Sequence, residues 1–294
     1  MFNLAVSTVA QGLLWAILAL GVYVTFRVLD LADLTCEGSF PLGAATAAAF
    51  LASGHSLASA IVAAAIAGML AGAVTGFLTT KMKIPALLAG ILTMIALYSV
   101  NLRIMGKANL SLLGVDTIFS AVQEATGLSN TYTTLVTGLV VALLIGLAMY
   151  WFFGTEIGAA IRATGFNQQM IRAQGVNTDM TIMLGLIISN CLIALSGAMI
   201  AQSNGFADVG MGVGTIVIGL ASVIIGEVLF GTRSFQNCMI SVVLGSVVYR
   251  IVIAVVLQLG MPPNDLKLFT AILVAVALSA PMIKARIKGR KVTP

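Results

Sequence analysis

The sequence predicts an all-α, polytopic bundle of about eight to ten transmembrane helices, some of them short and broken, in a single domain over residues 1–294. Three observations carry this. Hydrophobic residues make up 60% of the chain and charged residues 9%, where a soluble domain carries roughly 25% charged residues. The apolar residues fall in runs near the roughly 20 residues that cross a bilayer. The basic residues gather beside those runs, above all Lys284, Arg286, Lys288, Arg290 and Lys291. The net charge of +5 therefore reads as a topology anchor facing anionic lipid, not as a nucleic-acid surface.

The elements follow in order. Leu4–Val28 is a first span; without a basic start or a small-residue cleavage site, it reads as retained rather than as a signal peptide. A polar patch with Asp30, Asp33 and Glu37 leads to Phe40–Ala52, which is short and marked by Pro41 and Gly43. This segment is a half-helix or a broken span. Leu57–Thr79 and Ala86–Met105 follow, joined by a turn at Lys81–Pro85. In the polar region beyond, Asp116 is placed to cap a small interfacial helix with Ile118, Phe119, Val122 and Ala125 on one face and Gly127 at its end. Thr131–Phe153, Met180–Ala201, Thr215–Phe230, Phe235–Leu259 and Leu266–Ile283 complete the spans.

One polar stretch, Gly154–Thr178, interrupts this pattern and is unusually regular. Thr155 can cap a short helix with Glu156 at its positive end. Ile157, Ala160, Ile161 and Thr164 share a face by their spacing. Gly165 can end that helix, Asn167 can start another, and Gly175 can close it. Such order suits a docking surface for another protein; an ordered loop with no partner is the alternative. With this stretch in the cytoplasm, Arg27, Lys81, Lys83, Arg162, Arg172, Arg233 and the C-terminal basic cluster fall inside, while Arg103, Lys107, Arg250 and Lys267 fall outside or toward the outer half. That is the bias of the positive-inside rule. The N-terminus lies outside if Phe40–Ala52 crosses, and inside if that segment is re-entrant.

Residues 31–49 and 206–225 look alike: each has an Asp after Ala, then Gly punctuation, then a short helix of small residues. Paired interrupted helices in two halves mark inverted-repeat transporters and lie beside the pathway; glycines that merely permit close helix packing are the competing reading. Asp33, Ser39 and Asp208 are the pathway candidates here. Arg250, about mid-span, is another, against a purely structural role. Gly68, Gly72 and Gly76 read as a packing ridge. Glu227 is expected to pair with Arg233 at the inner interface. Cys36, Cys191 and Cys238 have no metal or disulfide spacing, and His55 is the single histidine, so no metal or other cofactor is expected in this chain.

The chain contains no G-x-x-x-x-G-K-[ST] phosphate loop. Uphill transport would need an ion gradient or a partner ATPase. At this point the residues resemble a family. GTEIGAAIRATGFNQQMIRAQGVN resembles the coupling loop, G-x-x-[IM]-R-A-x-G-x-N-x-x-x-A-x-x-x-G-[IV]-N, of bacterial ABC importer permeases of the branched-chain amino acid and ribose permease superfamily. Gly158, Ile161, Arg162, Ala163, Gly165, Asn167, Gly175, Val176 and Asn177 match it; Met170 or Ile171 stands near the usual Ala. LADLTCEGSFPLGA and IIGEVLFGTRSFQNCMISVVLGSVVYR resemble two further family segments, with Glu227 in place of the second glycine of a usual pair. The first of these looks most similar to the tryptophan/tyrosine transport branch.

The resemblance implies a non-enzymatic permease subunit in the bacterial cytoplasmic membrane, paired with a second copy of itself. It implies a cytoplasmic ATPase pair, carrying the ATP and Mg, docked at residues 154–178, and an extracytoplasmic binding protein that delivers an amino acid, aromatic ones included. Ile157, Ile161, Met170 and Ile171 would grip the ATPase, Arg162 and Arg172 would make polar contacts, and Gly165 would set the angle between the helices. A sugar or nucleoside importer of the same superfamily, an ion-driven carrier, and a channel or purely structural membrane protein are the alternatives.

Overall fold

The computed structural model describes residues 2–260, 262 and 265–287. The C-terminal basic cluster lies outside the described side chains. The chain is a helical bundle with one minimal sheet. Helix α1 (Phe2–Tyr23) runs into a π-helical turn at Val24–Val28; α2 is Cys36–Ala52, α3 Leu57–Thr80 and α4 Ala86–Met105. Strand β1 (Asn109–Ser111) and α5 (Ile118–Thr126) precede α6 (Asn130–Phe153), α7 (Glu156–Phe166) and α8 (Gln168–Ala173). Then come α9 (Thr178–Asn204), β2 (Phe206–Asp208), a 3-10 turn at Val209–Gly212, α10 (Thr215–Phe230), α11 (Phe235–Gln258) and α12 (Leu266–Ile287). The strands pair antiparallel, Asn109 opposite Asp208.

Among the described residues, seven helical segments are long and apolar enough to cross a membrane. The expected count of eight to ten is not reached on that criterion. Helix α2, at 17 residues, is too short to span alone at 1.5 Å per residue. The α1 and α9 spans are 78% and 67% buried, whereas α3, α4 and α6 are each under 30% buried. The first two therefore form the centre and the others the outer shell. Small side chains let α1 and α9 approach closely: Ser189 donates to the Gly21 carbonyl at 2.8 Å and Ser196 to the Leu14 carbonyl at 3.0 Å. Gly68 and Gly72 of α3 press on the backbone of α9, as a packing ridge should, and Gly76 faces Met183 there.

The packing repeats itself. Helix α3 lies on α9 as α11 lies on α1; α2 touches α3, α4 and α9 as α10 touches α11, α12 and α1. Helices α1–α4 and α9–α12 are thus two copies of one arrangement, related about the contact of α2 with α10. Gly165 of α7 seats on the Val28 carbonyl just beyond α1, while Gln11, about midway along α1, reaches Ser203, near the end of α9. The N-terminus therefore lies at the end opposite α7, and the connector with α2 leads from the α7 end of the bundle back toward it. Two local readings change. The cap of α5 is Thr117, not Asp116: Thr117 and Ser120 exchange reciprocal backbone bonds at 3.2 and 2.8 Å. Phe119 is buried and Ala125 is exposed, so the buried face is narrower than its spacing suggested.

Candidate coupling surface and the meeting of the half-helices

Helix α7 starts where Thr155 accepts from the Gly158 N–H at 3.3 Å, and Glu156 follows in its first turn. Asn167 sits between α7 and α8 in extended backbone; it closes the first and caps the second by accepting from the Met170 N–H at 3.0 Å. Gly175, at φ 84°, follows α8 in the left-handed region. The element is bound firmly to the bundle. Ile161 and Ile171 are buried, and Thr164 and Thr181 share a 2.8 Å hydrogen bond that joins α7 to α9. Gly158 packs on the Phe152 carbonyl. Arg172 reaches the start of α9, bonding Thr178 and lying 3.8 Å from Asp179, which Lys83 also approaches at 3.3 Å.

This geometry corrects the reading of the face. Ile161 and Ile171 point into the protein and cannot grip a partner. The apolar side chains left outside are Ile157, Met170 and Phe166, at 53%, 45% and 90% exposure; Phe166 was missed because it lies off the Ile157–Ile161 spacing. Ala163 is half-buried. Gly165 does not end α7, which continues through Phe166. A Cβ at Gly165 would collide with the Val28 carbonyl, so that glycine permits contact with α1. Arg172 is spent within the chain. Arg162 is exposed and stacks over the Phe235 ring at 5.1 Å. Glu227 pairs with Arg27 rather than Arg233: Arg27 Nε lies 2.9 and 3.0 Å from the two carboxylate oxygens, and a terminal nitrogen completes the fork. Proximity along the chain favoured Arg233, but Arg27 projects from the π-turn of α1 beside the end of α10.

The interrupted segments share one construction. Asp33 accepts from the Thr35 N–H at 2.9 Å, and Asp208 accepts from the Gly210 N–H at 2.7 Å, each turning the chain two residues later. Each aspartate also takes an asparagine from another element, Asn190 at 2.9 Å and Asn109 at 3.4 Å. The half-helices then meet: Glu37, in the first turn of α2, accepts from the Gly214 N–H at 3.0 Å, directly before α10. Gly212 lies against the Glu37 carbonyl. Frayed backbone in an apolar medium has to find such partners.

Asp33 and Ser39 are buried, not facing open space. Ser39 donates to Asn190 at 2.6 Å, Thr35 shares 2.7 Å with Thr75, and Thr75 donates to Thr93 at 3.0 Å. One network thus ties the α1–α2 connector to α2, α3, α4 and α9. Asp208 stays at the sheet end. Arg250 lies 4.2 Å over Trp15, which stacks on Phe40 at 5.3 Å, and its Nε has no hydrogen-bond partner. The four candidates do not converge on one site within this subunit. No group of three or more His, Cys, Asp and Glu suited to a metal occurs among the described residues.

A family model described as the permease component of branched-chain amino acid transport systems matches residues 4–278. The chain is similar to the tyrosine transport system permease protein of Clostridioides difficile (strain R20291), with 40% identity over 96% of this chain and 93% of that one. It is also similar to the galactofuranose transporter permease protein of Escherichia coli (strain K12), with 29% identity over 90% of this chain and 75% of that one. Among solved structures, an inward-facing ABC transporter assigned to the metal-chelate type aligns at a TM-score of 0.53 and 15% identity, over 96% of this chain and 85% of that one. That likeness is one of fold.

Proposed function

The chain belongs to the family of permease components of branched-chain amino acid transport systems, and from that footing we propose that it carries an amino acid, an aromatic one first, across the bacterial cytoplasmic membrane in an ATP-driven importer. The observation that carries the substrate class is the 40% identity, over nearly the whole of both chains, to a tyrosine permease. The permease works with a second copy of itself, a binding protein on the outer side, and an ATPase pair that supplies ATP and Mg chemistry on the inner side.

The ATPase docks on the exposed edge of α7 and α8, with Phe166, Ile157 and Met170 as the apolar contacts and Glu156 beside them. Burying an aromatic side chain such as Phe166 contributes about 1.5–3 kcal/mol. Movement of α7 reaches α1 through the Gly165–Val28 contact and α9 through Thr164 and Thr181. From α1 it passes to α10 through Arg27 and Glu227, and α10 meets α2 at Glu37. Both half-helices therefore respond to one push. In binding-protein-dependent importers the delivering protein sets much of the selectivity, which fits a permease whose Asp33, Ser39 and Asp208 are each bonded within the chain.

The test is reconstitution of the permease with ATPase and binding protein. Tyrosine uptake that depends on ATP and on the binding protein is the expected result. Uptake by the permease alone on an ion gradient overturns the ATP-driven reading; a binding protein that takes furanose sugars and not amino acids overturns the substrate. The similarity to a galactofuranose permease makes the sugar the second reading.

A further inference from the structure

Between α6 and α11 the surface opens into a groove of about 460 Å3, floored by Leu13 and Leu20 of α1 and walled by Leu143 and Val243. Both wall helices are long and apolar enough to cross a membrane, so the groove opens to hydrocarbon or to another apolar surface. Along α6 it runs from Leu139 to Tyr150, which at the helical rise is about 16 Å. That is the depth of one leaflet of a hydrocarbon core roughly 30 Å thick.

The groove ends at Tyr150, and there its chemistry changes. Tyr150 also lines a second pocket with Thr155, Arg162 and Phe235, and no carboxylate lines it. Among the described residues Arg162 makes no hydrogen bond or ion pair; its one partner is the Phe235 ring. An arginine held this way keeps its planar fork of donors free for a phosphate.

We propose that the groove and the pocket together hold one anionic phospholipid of the leaflet on the α7 side, an acyl chain lying between α6 and α11 and its phosphate on Arg162. The length of the groove, its lack of charge and the single cation at the correct end match the three parts of such a molecule. Gly146 gives a clean probe of the apolar half: a Cβ there meets nothing within 4 Å, so a large side chain fills the groove without disturbing the backbone. The site does not depend on the identity of the transported solute.

The experiment is native mass spectrometry of the full-length, delipidated permease offered equimolar phosphatidylglycerol and phosphatidylethanolamine. The wild-type chain is expected to bind one phosphatidylglycerol per subunit in preference. Arg162→Gln should lower that preference roughly fivefold, the effect of one basic residue at an anionic surface, while Arg162→Lys keeps most of it. Gly146→Trp should remove both lipids. Thermal stability of each variant in detergent identifies any that has failed to fold, and Arg162→Lys and Gly146→Trp test the two halves separately. Absence of a saturable lipid, or equal binding in all variants, overturns the proposal. So does a wild-type dimer that Gly146→Trp converts to monomer, because the groove would then be an interface between copies.

Discussion

Arg27 and Glu227, 200 residues apart in sequence, close a bidentate ion pair that fastens the end of α1 to the end of α10. Glu227 is the more buried partner, at 10% side-chain exposure against 49% for Arg27. Arg27→Ala should lower uptake at least severalfold with α7 and its docking edge untouched, and ATPase co-purification should stay at the wild-type level. The charge exchange Arg27→Glu with Glu227→Arg should recover part of the uptake, because a partly exposed pair carries about 1 kcal/mol. If Arg27→Ala transports normally, the pair is not on the route from α7 to α10.

Phe166 is the most exposed apolar side chain of the α7–α8 element. Phe166→Ala should weaken ATPase binding about tenfold to a hundredfold, from the 1.5–3 kcal/mol of an aromatic burial. Ile161→Ala should leave ATPase affinity largely unchanged and lower permease stability by about 2–5 kcal/mol, since it empties a buried site. Affinity measured by co-purification titration and melting in detergent separate the two. Equal loss of affinity in both variants would return Ile161 to the docking face.

Gly165 lies on a different link of the chain. Gly165→Trp forces α7 off the Val28 carbonyl and should abolish uptake with expression and membrane insertion intact. ATP hydrolysis should continue, no longer tied to transport. Uptake at the wild-type level would show that the α7–α1 contact transmits nothing.

Asn190 satisfies Asp33 and Ser39 at once. Asn190→Leu leaves the buried Asp33 carboxyl and the Ser39 hydroxyl each short of a partner, and a buried polar group left unsatisfied costs about 1–3 kcal/mol. The melting temperature in detergent should fall by several degrees, and Asp33→Asn in that background should restore part of it. A variant as stable as wild type would mean that the network is dispensable.

Most helix limits could be read from hydropathy alone, because a membrane span is a property of its own residues: Ala86–Met105 and Thr215–Phe230 fall where the apolar runs do. The likeness between residues 31–49 and 206–225 was also visible, since an Asp that turns the chain and a glycine that follows are local devices. What escaped were relations between distant segments. Nothing near Glu227 points to Arg27, and nothing in the α7 spacing says whether Ile161 or Phe166 faces the bundle. That depends on where α9 and the end of α1 stand. Gly165 has the pattern of a helix stop, and only the neighbouring carbonyl of Val28 shows why a side chain is forbidden there.

The hydrogen bond between the half-helices is unequal in genetic terms. Its acceptor is the side chain of Glu37, open to substitution; its donor is the backbone of Gly214, which every ordinary replacement except proline retains. Gly214 also holds φ at 86°, a conformation that other L residues resist. A mutational scan that deletes side chains will therefore register this junction fully at Glu37 and, at Gly214, only as the strain of an L residue at positive φ, since a Cβ there meets nothing within 4 Å. Maps of tolerated variation will assign to one half of the protein a joint that both halves make.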